Sequence, residues 1–96
     1  MPLVLCVLLW AVPGRENALG QYEDAVLDLL PRYRGRVVSR VRNTEANVSP
    51  TEVQILELPS QEVLEGFLLD PVRLSLGPLR EQSVARTEII RVRHVS

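Results

Sequence analysis

The run from Met1 to Val12, Met-Pro-Leu-Val-Leu-Cys-Val-Leu-Leu-Trp-Ala-Val, most restricts what this chain can fold into, because it is apolar on both faces of any strand it forms. In an extended chain Leu3, Leu5, Val7 and Leu9 point one way and Val4, Cys6, Leu8 and Trp10 the other. The run is too short to span a bilayer, which takes about 20 apolar residues. It also lacks the positive leader of a signal peptide, and Pro13-Gly14 follows as a turn. It therefore reads as a strand buried on both sides, with Cys6 a small core hydrophobe. Ninety-six residues suffice for one domain, spanning 1–96, with one small core. Such a domain cannot cover its own second face, so a second copy is the economical cover and a homodimer is expected.

Beyond the turn the spacing becomes helical. Leu19, Tyr22, Val26, Leu29, Leu30 and Tyr33 recur every three or four residues, and Pro31 and Gly35 bracket the end. Arg36–Arg42 alternates as a strand, the polar segment Asn43–Pro50 connects, and Val53–Leu58 is the next strand, giving an antiparallel hairpin with a long loop. Ser60 caps a second helix carrying Val63, Leu64, Phe67 and Leu68. Asp70-Pro71 caps and restarts a short irregular helix through Leu74, Leu76 and Leu79, interrupted by Gly77-Pro78. A last strand runs from Ala85 to Val95. The order β-α-β-β-α-β predicts an α+β, ferredoxin-like fold: a four-stranded antiparallel sheet with helices on one face, pairing into a dimeric α/β barrel.

Much chemistry is excluded. All 11 basic residues are arginine and net charge is −1, with no basic block, so nucleic-acid binding is not indicated. Without lysine there is no phosphate-loop lysine and no Schiff base. One cysteine and one histidine exclude a disulfide framework, structural zinc and any two-histidine metal site. No metal, cofactor or membrane partner is expected, and a disulfide-free, uncleaved chain points to the cytoplasm. Asn47-Val48-Ser49 matches a glycosylation acceptor but reads as a solvated loop.

The strand alternation suggests candidate ligand contacts. If Val37, Ser39 and Val41 face the helices, then Arg36, Val38, Arg40 and Arg42 face the open side, together with Val53, Ile55 and Glu57 and with Ile89, Arg91 and Arg93. The cleft between two sheets then holds Arg40, Arg42, Glu57, Arg91 and Arg93, with Trp10 as a flat wall. Two readings stay open. Glu57 and Glu88 pair with Arg40, Arg42 or Arg91 as a structural network at the dimer rim, or the arginines clamp a small anion by bidentate contacts. Trp10 beside Tyr22 or Tyr33 would suit an aromatic ligand. His94 is the only imidazole and so a candidate general acid or base. Asp70 is a second candidate, although it first reads as a helix cap.

Three segments carry a family resemblance: Tyr33-Arg34-Gly35-Arg36 ending the first helix, Leu56-Glu57-Leu58-Pro59-Ser60 running from strand into helix, and Phe67 three residues before Asp70-Pro71. Together they resemble a small uncharacterised-domain family of the dimeric α+β barrel superfamily, in which the helix ends in a Gly-Gly-Arg-like turn and the strand in Phe-Pro-Ser. Here Arg34 stands for the first glycine and Leu58 for the phenylalanine. The superfamily also holds cofactor-independent monooxygenases, muconolactone isomerases and YciI-like proteins. The resemblance implies fold and dimerisation, and activity does not transfer with it. YciI-like proteins pair the aspartate of the Asp-Pro with a histidine near the start of the chain, which this sequence lacks.

Two functions follow as expectations. One is a non-catalytic homodimer, structural or ligand-binding. The other is a cofactor-independent enzyme, monooxygenase- or isomerase-like, acting on a small aromatic or carboxylate ligand in the intersheet cleft.

Overall fold

The computed structural model describes residues 2–45 and 47–96. Met1, which opens the apolar run, and Ala46, inside the long connection, lie outside them. The elements are β1 (Leu3–Ala11), α1 (Glu16–Leu27), a 3-10 turn (Leu30–Tyr33), β2 (Arg36–Arg42), β3 (Glu52–Leu58), α2 (Gln61–Leu68), α3 (Pro71–Ser75), α4 (Gly77–Ser83) and β4 (Val84–Val92). One antiparallel sheet has the order β2-β3-β1-β4, so the two strands joined by α1 are separated by β3. This is the ferredoxin-like α+β fold. The Cα trace measures 38 × 36 × 16 Å, the thickness of a sheet with one helical layer. The other sheet face is bare. No helix among the described residues is long and apolar enough to cross a membrane.

Local chemistry sets the element ends. The first helix stops at Leu27, earlier than its apolar stripe suggests, because Pro31 lacks an N–H and the chain tightens into the 3-10 turn. Arg34 closes that turn in the left-handed region, φ 56°, where the Gly35 amide reaches the Leu30 carbonyl at 3.0 Å. Gly35 is required by close approach, since a Cβ there would stand 3.0 Å from Leu30 Cδ2 and 3.2 Å from the Glu57 carbonyl oxygen. Ser60 Oγ accepts from the Val63 amide at the start of α2, and Asp70 Oδ1 accepts from the Val72 and Arg73 amides at the start of α3. The region after Asp70 holds two short helices meeting at Leu76. The last strand ends at Val92, three residues short of the expected Val95.

The core lies between sheet and helices. Leu5, Val7 and Leu9 of β1 and Leu56 and Leu58 of β3 pack against Leu19, Tyr22, Val26, Leu27, Leu64 and Phe67. Each leucine fully buried there contributes about 1.5–3 kcal/mol. Register decides which other side chains join them. Leu5 stands opposite Leu56 and Arg91, and Cys6 opposite Ile55 and Ile90. Residues directly opposite share a face, so Ile89 and Arg91 lie on the helix side, contrary to the expected placement on the open face. A bulge causes the second departure: Val37 is opposite Leu56 and Ser39 is opposite Ile55, leaving Val38 as an extra residue. One inserted residue exchanges the faces of everything after it. Arg40, opposite Gln54, and Arg42, opposite Glu52, therefore also point to the helix side.

Candidate functional site

The expected ligand contacts do not converge. Arg40 Nε donates to Glu52 Oε2 at 2.8 Å and Nη1 to Asp24 Oδ1 at 2.6 Å, while Arg42 Nη2 donates to Glu52 Oε1 at 2.7 Å and Nη1 to the Glu16 carbonyl at 3.0 Å. These contacts tie β2 to α1 and β3 under the helical layer. Arg91 donates to Gln61 Oε1 at the start of α2, and Arg93 is exposed beyond the end of β4. Glu57 remains on the open face, accepting from Arg36 Nε and lying 2.9 Å from His94 Nε2. His94 and Arg36 hold the Glu57 carboxyl below the usual carboxylate range. Trp10 is also on the open face, with the Arg86 guanidinium 4.5 Å from the ring centroid and Nε1 donating to the Val48 carbonyl. Arg86 itself pairs with Glu88. Trp10 therefore stands on the side of the sheet away from Tyr22 and does not form one aromatic wall with it. Asp70 acts as the cap, and Tyr33 Oη donates to Asp70 Oδ2 at 2.6 Å, a bond that draws the carboxyl down.

A different set of side chains does converge. A cavity of about 400 Å³ lies between the sheet and the helical layer. Leu5, Val7, Leu9 and Leu56 form its floor, and Val26, Leu27, Leu64 and Phe67 come from the helices. Tyr22, Glu23, Gln54, Arg73, Arg80 and Thr87 bring polar groups to the same lining. Its lining runs out to Ile89, half exposed, and Arg80, exposed, so the mouth lies at the β4 edge. Among the described residues no group of three or more His, Cys, Asp or Glu could hold a metal ion.

The electrostatics of the cavity follow from who is paired. Glu52 is buried, and burial alone would raise its carboxyl, but bonds from Arg40, Gln54 and Arg42 bring it below the usual range. Glu23 is equally buried, and burial pushes its carboxyl up against a single bond from Gln54 Nε2 at 2.7 Å. Burial likewise raises the Tyr22 hydroxyl, opposed by the nearby Arg73 guanidinium. Arg73 lies 5.8 Å from the centroid of the Phe67 ring and donates from Nη1 to the Leu68 carbonyl, while its Nε is buried without a partner among the described residues.

Tyr22 was legible as core or cavity lining, but Glu23, Gln54, Arg73, Arg80 and Thr87 were not singled out. One signal could have found the first two. Glu23 is four residues after Leu19 and falls within the apolar stripe of α1, and Gln54 shares the helix-facing alternation of Leu56 and Leu58. Polar residues at core positions mark either a satisfied network or a site.

No family model matches the chain, and no curated protein matches it. Solved structures do match. A protein from Pseudomonas aeruginosa is similar at 18% identity and TM-score 0.75, over 99% of this chain and 95% of its own. A candidate antibiotic biosynthesis monooxygenase from Bacteroides thetaiotaomicron is similar at 17% identity and TM-score 0.75, over 99% and 90%. A dimeric protein of unknown function with a ferredoxin-like fold, from Bacteroides fragilis, is similar at 11% identity and TM-score 0.71, over 97% and 96%. Fold is what these neighbours share with the chain, and it is the fold of the superfamily that the sequence resembles.

Proposed function

We propose that the chain is a homodimeric binding protein for small organic anions, with one ligand site per subunit in the cavity between sheet and helices. The observation that carries the reading is that cavity: an apolar chamber of about 400 Å³ with Arg73 among its lining residues, an arginine whose buried Nε has no partner among the described residues. Pockets of a few hundred Å³ with an apolar lining and a few convergent polar groups suit a small molecule with one anionic end. Arg73 and Arg80 would meet that end, and Leu64 and Phe67 its apolar body. Arg40, Arg42 and Glu57, being paired within the subunit, serve structure in this reading; Arg91 and Arg93 lie outside the cavity.

Dimerisation is supported by the open face, where Cys6, Leu8, Val53, Ile55 and Ile90 form an apolar centre. Charged residues stand at its two ends, Arg36, Glu57 and His94 at one and Arg86 and Glu88 at the other. An apolar centre with a polar rim is the composition of a protein interface.

A thermal-shift screen with small aromatic acids and phenols tests the ligand reading, because a ligand of the native state raises Tm by mass action. Arg73→Met and Arg80→Met should remove the shift. A catalytic alternative, cofactor-independent chemistry on an aromatic or carboxylate substrate, is favoured by one observation: Glu23, raised by burial, lines the cavity beside Tyr22. Turnover of a bound ligand that stops in Glu23→Gln while binding survives would select it.

A further inference from the structure

Gln54 links two buried acids of opposite character. Its Nε2 donates one hydrogen to Glu23 Oε1 and the other to Glu52 Oε2, each at 2.7 Å. Glu52 also takes both guanidinium bonds, from Arg40 and Arg42, so it is the ionised member. That ionisation fixes the amide, because turning Gln54 over would set its carbonyl oxygen against the Glu52 carboxylate. Glu23 is left with one neutral donor on Oε1. Its Oε2 accepts nothing from the described residues, and Glu23 is one of the residues lining the cavity. The groups facing Glu23 can be named element by element. Tyr22 adjoins it on α1, Arg40 on β2 is spent on Glu52 and Asp24, and β3 supplies Glu52 and Gln54. Arg73 on α3 and Arg80 on α4 line the same cavity, the Arg73 charge favouring ionisation of Glu23, and β1, α2 and β4 bring only apolar side chains and Thr87.

Burial, joined by the Glu52 charge, pushes the Glu23 carboxyl up against the Gln54 bond and the Arg40 and Arg73 charges, which favours the protonated form. With Oε1 occupied as an acceptor, the proton belongs on Oε2, the carboxyl oxygen left free for a ligand in the cavity that Glu23 lines. We propose that Glu23 stands in the unliganded cavity as a neutral carboxylic acid and is the hydrogen-bond donor that selects an organic carboxylate as the ligand. The proposal rests on the cavity being the ligand site. The anion's oxygen accepts from Glu23 Oε2, and Arg73 and Arg80 balance its charge, so entry of the ligand meets no opposing charge on Glu23. Once Glu23 ionises, the same oxygen becomes a repelling acceptor and the ligand leaves. Affinity for an anion should therefore fall with rising pH, although the ligand's own charge does not change.

Two measurements on the intact protein separate this inference from the reading beneath it. A carboxyl-13C titration of the free protein, with Glu23→Gln supplying the assignment, should show Glu23 titrating well above the other glutamates. In Glu52→Gln, which removes the neighbouring negative charge, its midpoint should move down. Benzoate binding is then measured across pH. Wild-type affinity should weaken by up to about tenfold per pH unit above the Glu23 midpoint, whereas Glu23→Gln, a neutral donor of the same shape, should bind with a flat profile. A Glu23 that titrates with the surface glutamates overturns the proposal, as does pH-independent benzoate binding in the wild type. Benzoate that binds at no pH overturns the cavity reading instead, while the titration still decides whether Glu23 holds its proton.

Discussion

Arg40 donates to Glu52 across 2.8 Å beneath the helical layer, and the bulge at Val38 puts it there. Without that extra residue Arg40 would share the open face with Ile55. With it, two arginines of β2 close over a buried carboxylate and hold α1 to the sheet through Asp24, the Gly20 carbonyl and the Glu16 carbonyl. The polar groups of this region are thereby divided into a paired set at β2 and a less paired set in the cavity.

Replacing Arg40 by Met should lower stability by about 1–3 kcal/mol, because the buried Glu52 keeps Arg42 but loses both bonds from Arg40. The double variant Arg40→Met with Glu52→Met should recover much of that loss. Urea denaturation of the three proteins checks both signs. A neutral single variant would mean that the pair is a surface bridge of little worth.

Glu23 and Glu52 should pull the pH dependence of stability in opposite directions. Glu23 is raised by burial, so its contribution is complete below the unfolded value of about 4.3 and is lost as pH rises through the folded value. Glu52 is raised by burial but lowered further by Arg40, Gln54 and Arg42, so its contribution is present above about 4.3 and lost as pH falls through the folded value. Unfolding measured across pH should show Glu23→Gln gaining on the wild type as pH rises. The deficit of Glu52→Gln should shrink in acid.

Arg34 holds a left-handed backbone at φ 56° where the resembling family has glycine. A left-handed non-glycine residue costs roughly 1–2 kcal/mol, partly offset by the extra freedom that glycine gives the unfolded chain. Arg34→Gly should therefore raise stability by about 0.5–1 kcal/mol. A lower Tm in that variant would show that the Arg34 side chain contributes more than its backbone costs.

The two faces of the sheet should respond differently to charge. Leu5, 2% exposed, is in the core, so Leu5→Asp should abolish folding. Ile55→Asp places its charge at the centre of the open face and should leave a folded chain of native circular dichroism that sediments as a monomer, where the wild type sediments at twice the chain mass. A wild type that is monomeric at micromolar concentration would contradict the dimer.

Element order was legible because hydrophobic period and turn residues act locally: Pro13-Gly14, Pro31 and Asp70-Pro71 punctuate the chain where the structure breaks. Facing was legible on β3, where Val53, Ile55 and Glu57 lie on the open side as expected, but not on β1, which is apolar on both sides. It failed on β2, because a bulge at Val38 has no marker such as glycine, and on β4, because Ile89-Ile90 offers either face an isoleucine. Those two registers moved Arg40, Arg42 and Arg91 to the helix side and left Glu57, Trp10 and His94 behind. The cavity itself was hidden for a related reason. Arg73 and Arg80 come from short helices after Asp70, and their placement against Tyr22 and Glu23 is a tertiary fact that no local spacing encodes.

The central claim is that a small organic anion binds between sheet and helices and leaves the open sheet face untouched. An amide chemical-shift titration of nitrogen-15-labelled protein with the best aromatic acid from the thermal screen tests it most directly. The account predicts saturable shifts at Tyr22, Glu23, Arg73, Thr87 and Ile89, with Cys6, Ile55 and Ile90 unmoved, and their disappearance in Arg73→Met. Shifts centred on Cys6, Ile55 and Ile90 with a silent cavity would contradict it.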